Sequence, residues 1–167
     1  MAKKRFAFLQ KKLEADPKLF KQYKAVIDGY LEAKPPYARK MDPSEVYKTT
    51  SKTWTLPTFP VFHPKKPEKP RVVMDAAAEF HGISLNKELL TGPDLLNLLV
   101  GVIMRFCINP IAIAADIEAM FHQVRTSPED ANSLRFLWEG EVYQMLVHVF
   151  GNIFAQSSQL RGETNSS

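Results

Sequence analysis

A chain of 167 residues with 45% hydrophobic and 24% charged residues has a globular composition, and its formal charge of +4 conceals a split. Residues 1–71 carry 17 Lys/Arg against 7 Asp/Glu, a net of +10, whereas 72–167 carry 5 against 11, a net of −6. That pattern predicts a front half drawn to anionic partners and a back half able to supply carboxylates to a site. The lone cysteine, Cys107, excludes an intrachain disulfide, and His63, His81, His122 and His148 lack zinc-ligand spacing. The longest apolar stretch, Leu95 to Met104, is far short of the ~20 residues that a bilayer span needs. Met1-Ala2-Lys3-Lys4-Arg5 is not followed by an apolar signal core, so an intracellular protein of cytoplasm or nucleus is expected.

Residues 3–33 predict two helices, because Phe6, Leu9 and Leu13, then Leu19, Phe20, Tyr23, Val26, Ile27, Tyr30 and Leu31 recur at three- and four-residue steps among lysines. Asp16-Pro17 separates them, with Asp16 as N-cap and Pro17 at the first helical position. Eight of the twelve prolines fall between Pro35 and Pro70, which excludes helix there and favours extended chain anchored by Trp54, Phe59, Val61 and Phe62. Pro-Lys-Lys-Pro-Glu-Lys-Pro at 64–70 reads as an exposed basic turn leading into a short strand, Arg71 to Asp75. After a loop over 76–86, Gly92-Pro93-Asp94 starts a helix with the face Leu95, Leu96, Leu99, Val102, Ile103 and Phe106, closing near Pro110.

Ile111-Ala112-Ile113-Ala114-Ala115-Asp116 has the length and composition of a strand buried on both faces. An acid at the end of such a strand is costly unless it caps a following helix, here 117–124, or binds a cation; position and residue type leave both readings open. Ser127-Pro128-Glu129-Asp130 is a helix start, and Leu134–Trp138 and Val142–Val149 read as strands joined at Glu139-Gly140-Glu141. No internal repeat is present. The organisation expected is a basic helical segment (1–34), a Pro-containing connector (35–56), a main domain (57–151) and a polar tail (152–167).

Ala115-Asp116-Ile117-Glu118-Ala119-Met120-Phe121-His122-Gln123-Val124 resembles motif A of reverse transcriptases. Around it, in that family's order, stand Pro60 to Asp75 (similar to the fingers hairpin), Leu85-Asn86, Leu89 to Asn97, the Ser127 to Asp130 turn, Leu134-Arg135-Phe136 and Val149-Phe150-Gly151. The wording of Val61-Phe62-His63-Pro64-Lys65-Lys66-Pro67 and His148-Val149-Phe150-Gly151 is similar to reverse transcriptases of BEL/Pao-type long-terminal-repeat retrotransposons. Six ordered motifs at suitable spacing make a specific signal.

The resemblance implies an α+β fold: a partial right-hand polymerase of fingers and first part of the palm, with N-terminal helices, an extended Pro-rich segment and a small, mainly antiparallel sheet with packed helices. It implies RNA/DNA template-primer and deoxynucleoside triphosphate as partners and Mg2+ or Mn2+ as cofactor. By that resemblance Asp116 is the catalytic and metal-binding residue, Ile117 offers a backbone carbonyl to the metal, Lys66 or its neighbour Lys65, together with Arg71, reaches the triphosphate, and Phe121 lies against the sugar and selects deoxynucleotides. His63, His148 and Asp75 are read as structural. Two departures stand out. Asp130 is the last Asp, so the second, Asp-Asp motif of the family is missing, and Asn152 onward does not follow the family's pattern. The chain alone is therefore expected not to polymerise, and a non-catalytic nucleic-acid-binding remnant or a pseudogene-like product is the alternative reading.

Overall fold

The computed structural model describes residues 1–89, 97–108 and 110–152. Helices α1 (Ala2–Ala15) and α2 (Pro17–Glu32) form where the apolar steps fall. Between them the Asp16 carboxylate accepts the Leu19 N–H at 3.0 Å, and Pro17 occupies the first helical position, where its missing N–H costs no hydrogen bond. The buried stripes are Leu9 and Leu13 on α1 and Leu19, Tyr23 and Ile27 on α2.

These stripes cover a four-stranded sheet of order β1-β6-β5-β2, built from β1 (Ala38–Lys40), β2 (Thr55–Leu56), β5 (Arg135–Trp138) and β6 (Glu141–Met145). β6 is antiparallel to both β1 and β5, while β2 runs parallel to β5. Trp138 pairs with Glu141 across a two-residue turn in which Glu139 and Gly140 both have positive φ (49° and 79°), the geometry that matches strand twist. Past β6 the ladder continues irregularly: the Thr126 N–H donates to Leu146 O and the His148 N–H to Val124 O. The rings of Phe20 and Tyr23 pack on Trp138 at 6.0 and 5.2 Å.

The second sheet is a hairpin of β3 (Thr58–His63) and β4 (Lys66–Met74), on which α2 also packs. On the sheet face opposite Phe136 and Trp138, the buried Arg135 donates to Val46 O and Lys48 O (both 3.2 Å) and to Asn132 Oδ1 (2.8 Å), and Gln144 shares Asn132 Oδ1. Gln144 in turn accepts from Arg39, whose fork holds Glu45 by two bonds. One polar chain thus ties β1, β5 and β6 to the loop before β2.

The α+β class and the small, mainly antiparallel sheet stand as the sequence predicts, with local corrections. The Pro-rich stretch holds a one-turn helix, α3 (Pro43–Val46), because Pro43 sits at its first position, the one place where proline suits a helix. The basic turn of 64–70 shrinks to its first residues, since β4 already begins at Lys66. The expected helix start at 92–94 lies outside the described residues. The helix itself, α5 (Leu99–Phe106), comes after α4 (Leu85–Glu88) and buries none of its residues.

The largest correction concerns Ile111 to Asp116, which is irregular and exposed rather than a buried strand, with Ile111 at 79% and Ile113 at 85% exposure. A strand exists only where a neighbour completes its ladder, and among the described residues none lies against this run. In place of a helix over 117–124, a left-handed Ala119 leads into a single 3₁₀ turn, Met120–Gln123. Ser127 does cap, accepting the Asp130 N–H at 3.1 Å, but the element it caps is only a 3₁₀ turn, Asp130–Leu134. β6 ends at Met145 rather than at 149.

Burial separates the two kinds of apolar residue sharply. Truncating Ile27, which is 0% exposed, in Ile27→Ala should cost about 2–5 kcal/mol by urea denaturation, whereas Ile103→Ala on α5, 53% exposed, should stay within about 0.5 kcal/mol.

Candidate functional site

Strand alternation builds the first wall of the site. Pro70, Val72 and Met74 of β4 point into the core, so Arg71, opposite Val61 on β3, is left facing outward. Its guanidinium carbon lies 5.9 Å from the centroid of Phe150, over the ring. Phe121, half-buried on the 3₁₀ turn 120–123, meets the same ring edge-on at 4.9 Å and 86°. Phe150 therefore joins Arg71 and Phe121, which are 50 residues apart in sequence.

Two local devices hold this cluster. Gly151 has φ +105°, and a Cβ there would come within 2.5 Å of the Met74 carbonyl oxygen, so only glycine lets the chain pass so close to the end of β4. The Gly151 carbonyl also accepts from Asn86 Nδ2 at 3.3 Å. On the other side His122, next to Phe121, packs against Tyr30 of α2 at 5.1 Å and Tyr37 at 4.9 Å. Burial holds the pKa values of His122 and His148 below the ordinary imidazole value and lifts that of Tyr30 to about 12.

Lys65 and Lys66 are exposed at the hairpin tip, where the Lys65 N–H donates to His63 Nδ1 at 3.1 Å. The one carboxylate of the hairpin, Glu68, is taken up by Lys18 Nζ (3.4 Å) and Gln22 Nε2 (3.1 Å) of α2. Among the described residues no carboxylate pairs with Lys65, Lys66 or Arg71, so three cations face solvent uncompensated. His63 shapes the tip and His148 extends the ladder. Asp75 pairs with Arg5 and donates its N–H to Pro57 O, so all three serve the fold.

Asp116 and Ile117 do not join this cluster. Both are exposed in the irregular segment before the 3₁₀ turn, Ile117 at 62%, and no described hydrogen bond or ion pair links Asp116 to Arg71, Phe121 or the lysines. Among the described residues no three His, Cys, Asp or Glu side chains converge as metal ligands. One carboxylate on exposed chain does not make a site for a hard divalent cation, which takes about six oxygens. The residues present therefore do not fit a complete magnesium centre.

A solved structure of a foamy viral protease-reverse transcriptase in complex with double-stranded DNA is similar to this chain, with a TM-score of 0.57 at 18% identity over 84% of the chain. The chain has a partial reverse-transcriptase fold. It spans 22% of that protein's length. No family model matches the sequence, and no curated protein matches it. No helix among the described residues is long and apolar enough to cross a membrane.

Sequence reasoning passed over Phe150, which it used only as a word in a motif. Its link to Arg71 and Phe121 is made by tertiary contact, and the available signal was an aromatic beside a glycine.

The buried histidines set a pH dependence. Their folded-state pKa values lie below the unfolded value of ~6.5, so in that window the unfolded chain binds more protons and stability falls as pH drops. The stability they contribute is complete above about pH 6.5 and is lost on acidification through the lowered folded value. The melting temperature should fall between about pH 7.5 and 5.5, and less so in His122→Phe, which keeps a ring against Tyr30 and Tyr37.

Proposed function

We propose that this chain is the fingers and first part of the palm of a BEL/Pao-type retrotransposon reverse transcriptase, acting on template-primer and deoxynucleoside triphosphate. The observation that carries the reading is the Arg71–Phe150–Phe121 contact on a reverse-transcriptase fold. Among the described residues Arg71 has no carboxylate partner, so its planar donors are free to fork onto phosphate oxygens, while Lys65 and Lys66 add point charges from the tip. Phe121, braced by Phe150 and by the neighbouring His122, presents a rigid edge to the sugar that a 2′-hydroxyl would meet. Asp116 and the Ile117 carbonyl are the proposed ligands toward Mg2+ or Mn2+. The other carboxylates of such a centre would have to come from outside the described residues, and nucleotidyl transfer is assigned to the complete enzyme, not to this chain.

The exposure of Asp116 together with the +10 front half favours a second reading, a non-catalytic nucleic-acid-binding remnant. The two separate in one titration. If the first holds, deoxynucleoside triphosphate tightens binding of a labelled template-primer, and Arg71→Ala removes that tightening at a cost of about 1.5–3 kcal/mol. If only the second holds, binding still weakens steeply with salt, as counterion release requires, but is indifferent to triphosphate and to Arg71. Salt-insensitive binding, or none at low salt, overturns both. Primer extension by the chain alone is expected to be absent, and incorporation lost in Asp116→Asn would overturn the assignment of incompleteness.

A further inference from the structure

A groove of about 730 Å3 between α2 and β4 is lined by none of Arg71, Phe121 and Phe150. The α2 residues that line it, Lys18, Lys21, Gln22, Val26, Gly29 and Tyr30, recur at helical steps and give one continuous wall three turns long. Lys69 and Pro70 of β4 form the opposite wall. The groove is apolar along its floor and cationic on both rims. Lys21 and Lys69 line it without a carboxylate partner among the described residues, and Glu68, which also lines it, is already held by Lys18 and Gln22. Cations on both walls of an apolar groove repel one another and favour an anionic, apolar occupant.

Three kinds of occupant are disfavoured. Pro67 and Pro70 leave β4 without two N–H donors, which hinders an added strand. Tyr30 and Tyr37, at the end of the groove, have their rings engaged with His122, so the site lacks the free aromatic platform on which bases of a single strand stack. A second copy of this chain would bring α5, whose sequence, Leu99 to Phe106, contains no acid. The remaining candidate is a helix laid along α2, aliphatic on one face and acidic on its flanks.

We propose that the α2–β4 groove docks an acidic amphipathic helix of a partner protein, with aliphatic side chains against Val26, Gly29 and Pro70 and carboxylates against Lys21 and Lys69. Gly29 supplies a discriminating variant, because a Cβ there meets nothing within 4 Å. Gly29→Leu fills the floor and favours helix, so it leaves the fold intact.

The test is calorimetric titration of the whole chain with a synthetic helical peptide of about 14 residues, Leu on one face and Glu elsewhere, beside a scrambled peptide and a short oligothymidylate. The proposal expects the amphipathic peptide to bind, and to lose about tenfold or more in affinity in Gly29→Leu and in the Lys21→Glu/Lys69→Glu double variant, both confirmed as folded by circular dichroism. It also expects the scrambled peptide to bind at least as weakly as those variants do. Peptide binding untouched by Gly29→Leu, or no peptide binding at all, overturns the proposal. Oligothymidylate binding that is lost in Gly29→Leu reassigns the groove to single-stranded nucleic acid and overturns it as well.

Discussion

The burial of Tyr23 and Ile27, at 1% and 0% exposure, is the constraint on which the rest of the molecule depends. These residues place α2 against both sheets: Tyr23 packs on Trp138 of β5, and the same helix lies along β4 of the hairpin. A helix of 16 residues spans about 24 Å, enough to touch both sheets and, through Tyr30, the turn that carries Phe121. The hairpin with Lys65, Lys66 and Arg71 and the turn with Phe121 are therefore positioned against one rigid element. Glu68 adds a link from the hairpin back to α2, but its partners are exposed and such pairs contribute little, so the apolar contact sets the geometry.

The opposite situation holds from Leu98 to Ile117. α5 has no buried residue, and Leu99, Ile103, Ile111 and Ile113 are all more than half exposed. A helix apolar on its outward faces is not favoured in water, and an Ile/Ala run of strand composition gains nothing until a second strand satisfies its backbone. The physical preference of both segments is for cover that the described residues do not provide. The same absence explains Asp116: a carboxylate can be aimed precisely only from a strand whose ladder fixes it, and here the preceding residues have no ladder.

How much was legible in the sequence depends on where each element gets its stability. α1 and α2 are set by their own periodicity and by the Asp16-Pro17 boundary, all local, and were readable. So was the β5–β6 hairpin, whose Glu139-Gly140 turn needs two positive-φ residues in a row. β1 and β2, at three and two residues, carry no pattern of their own and exist only because β6 and β5 pair with them. Ile111–Asp116 fails for the converse reason: its composition suits a strand, but composition does not supply a neighbour. In the site, Arg71, Lys65 and Lys66 were named by the resemblance, and strand alternation accounts for the outward aim of Arg71, whereas Phe150 acquires its place through the Gly151 approach to Met74, a contact between residues far apart in sequence.

The two chemical ends of the resemblance thus differ in what holds them. The proposed triphosphate end is secured by contacts between described residues: the alternation of β4, a glycine that alone tolerates contact with Met74 O, and an imidazole between two tyrosines. The glycine and imidazole contacts join segments far apart in sequence, and together the three hold Arg71, Phe150 and Phe121 in one cluster. The metal end requires at least two carboxylates brought together, and convergence of like charges is unfavourable until the cation and a fixed backbone offset it. Asp116 has neither. Aromatic and cation–π contacts are attractive without a ligand, whereas a carboxylate cluster is repulsive without one, so the two parts of the proposed site place different demands on the chain.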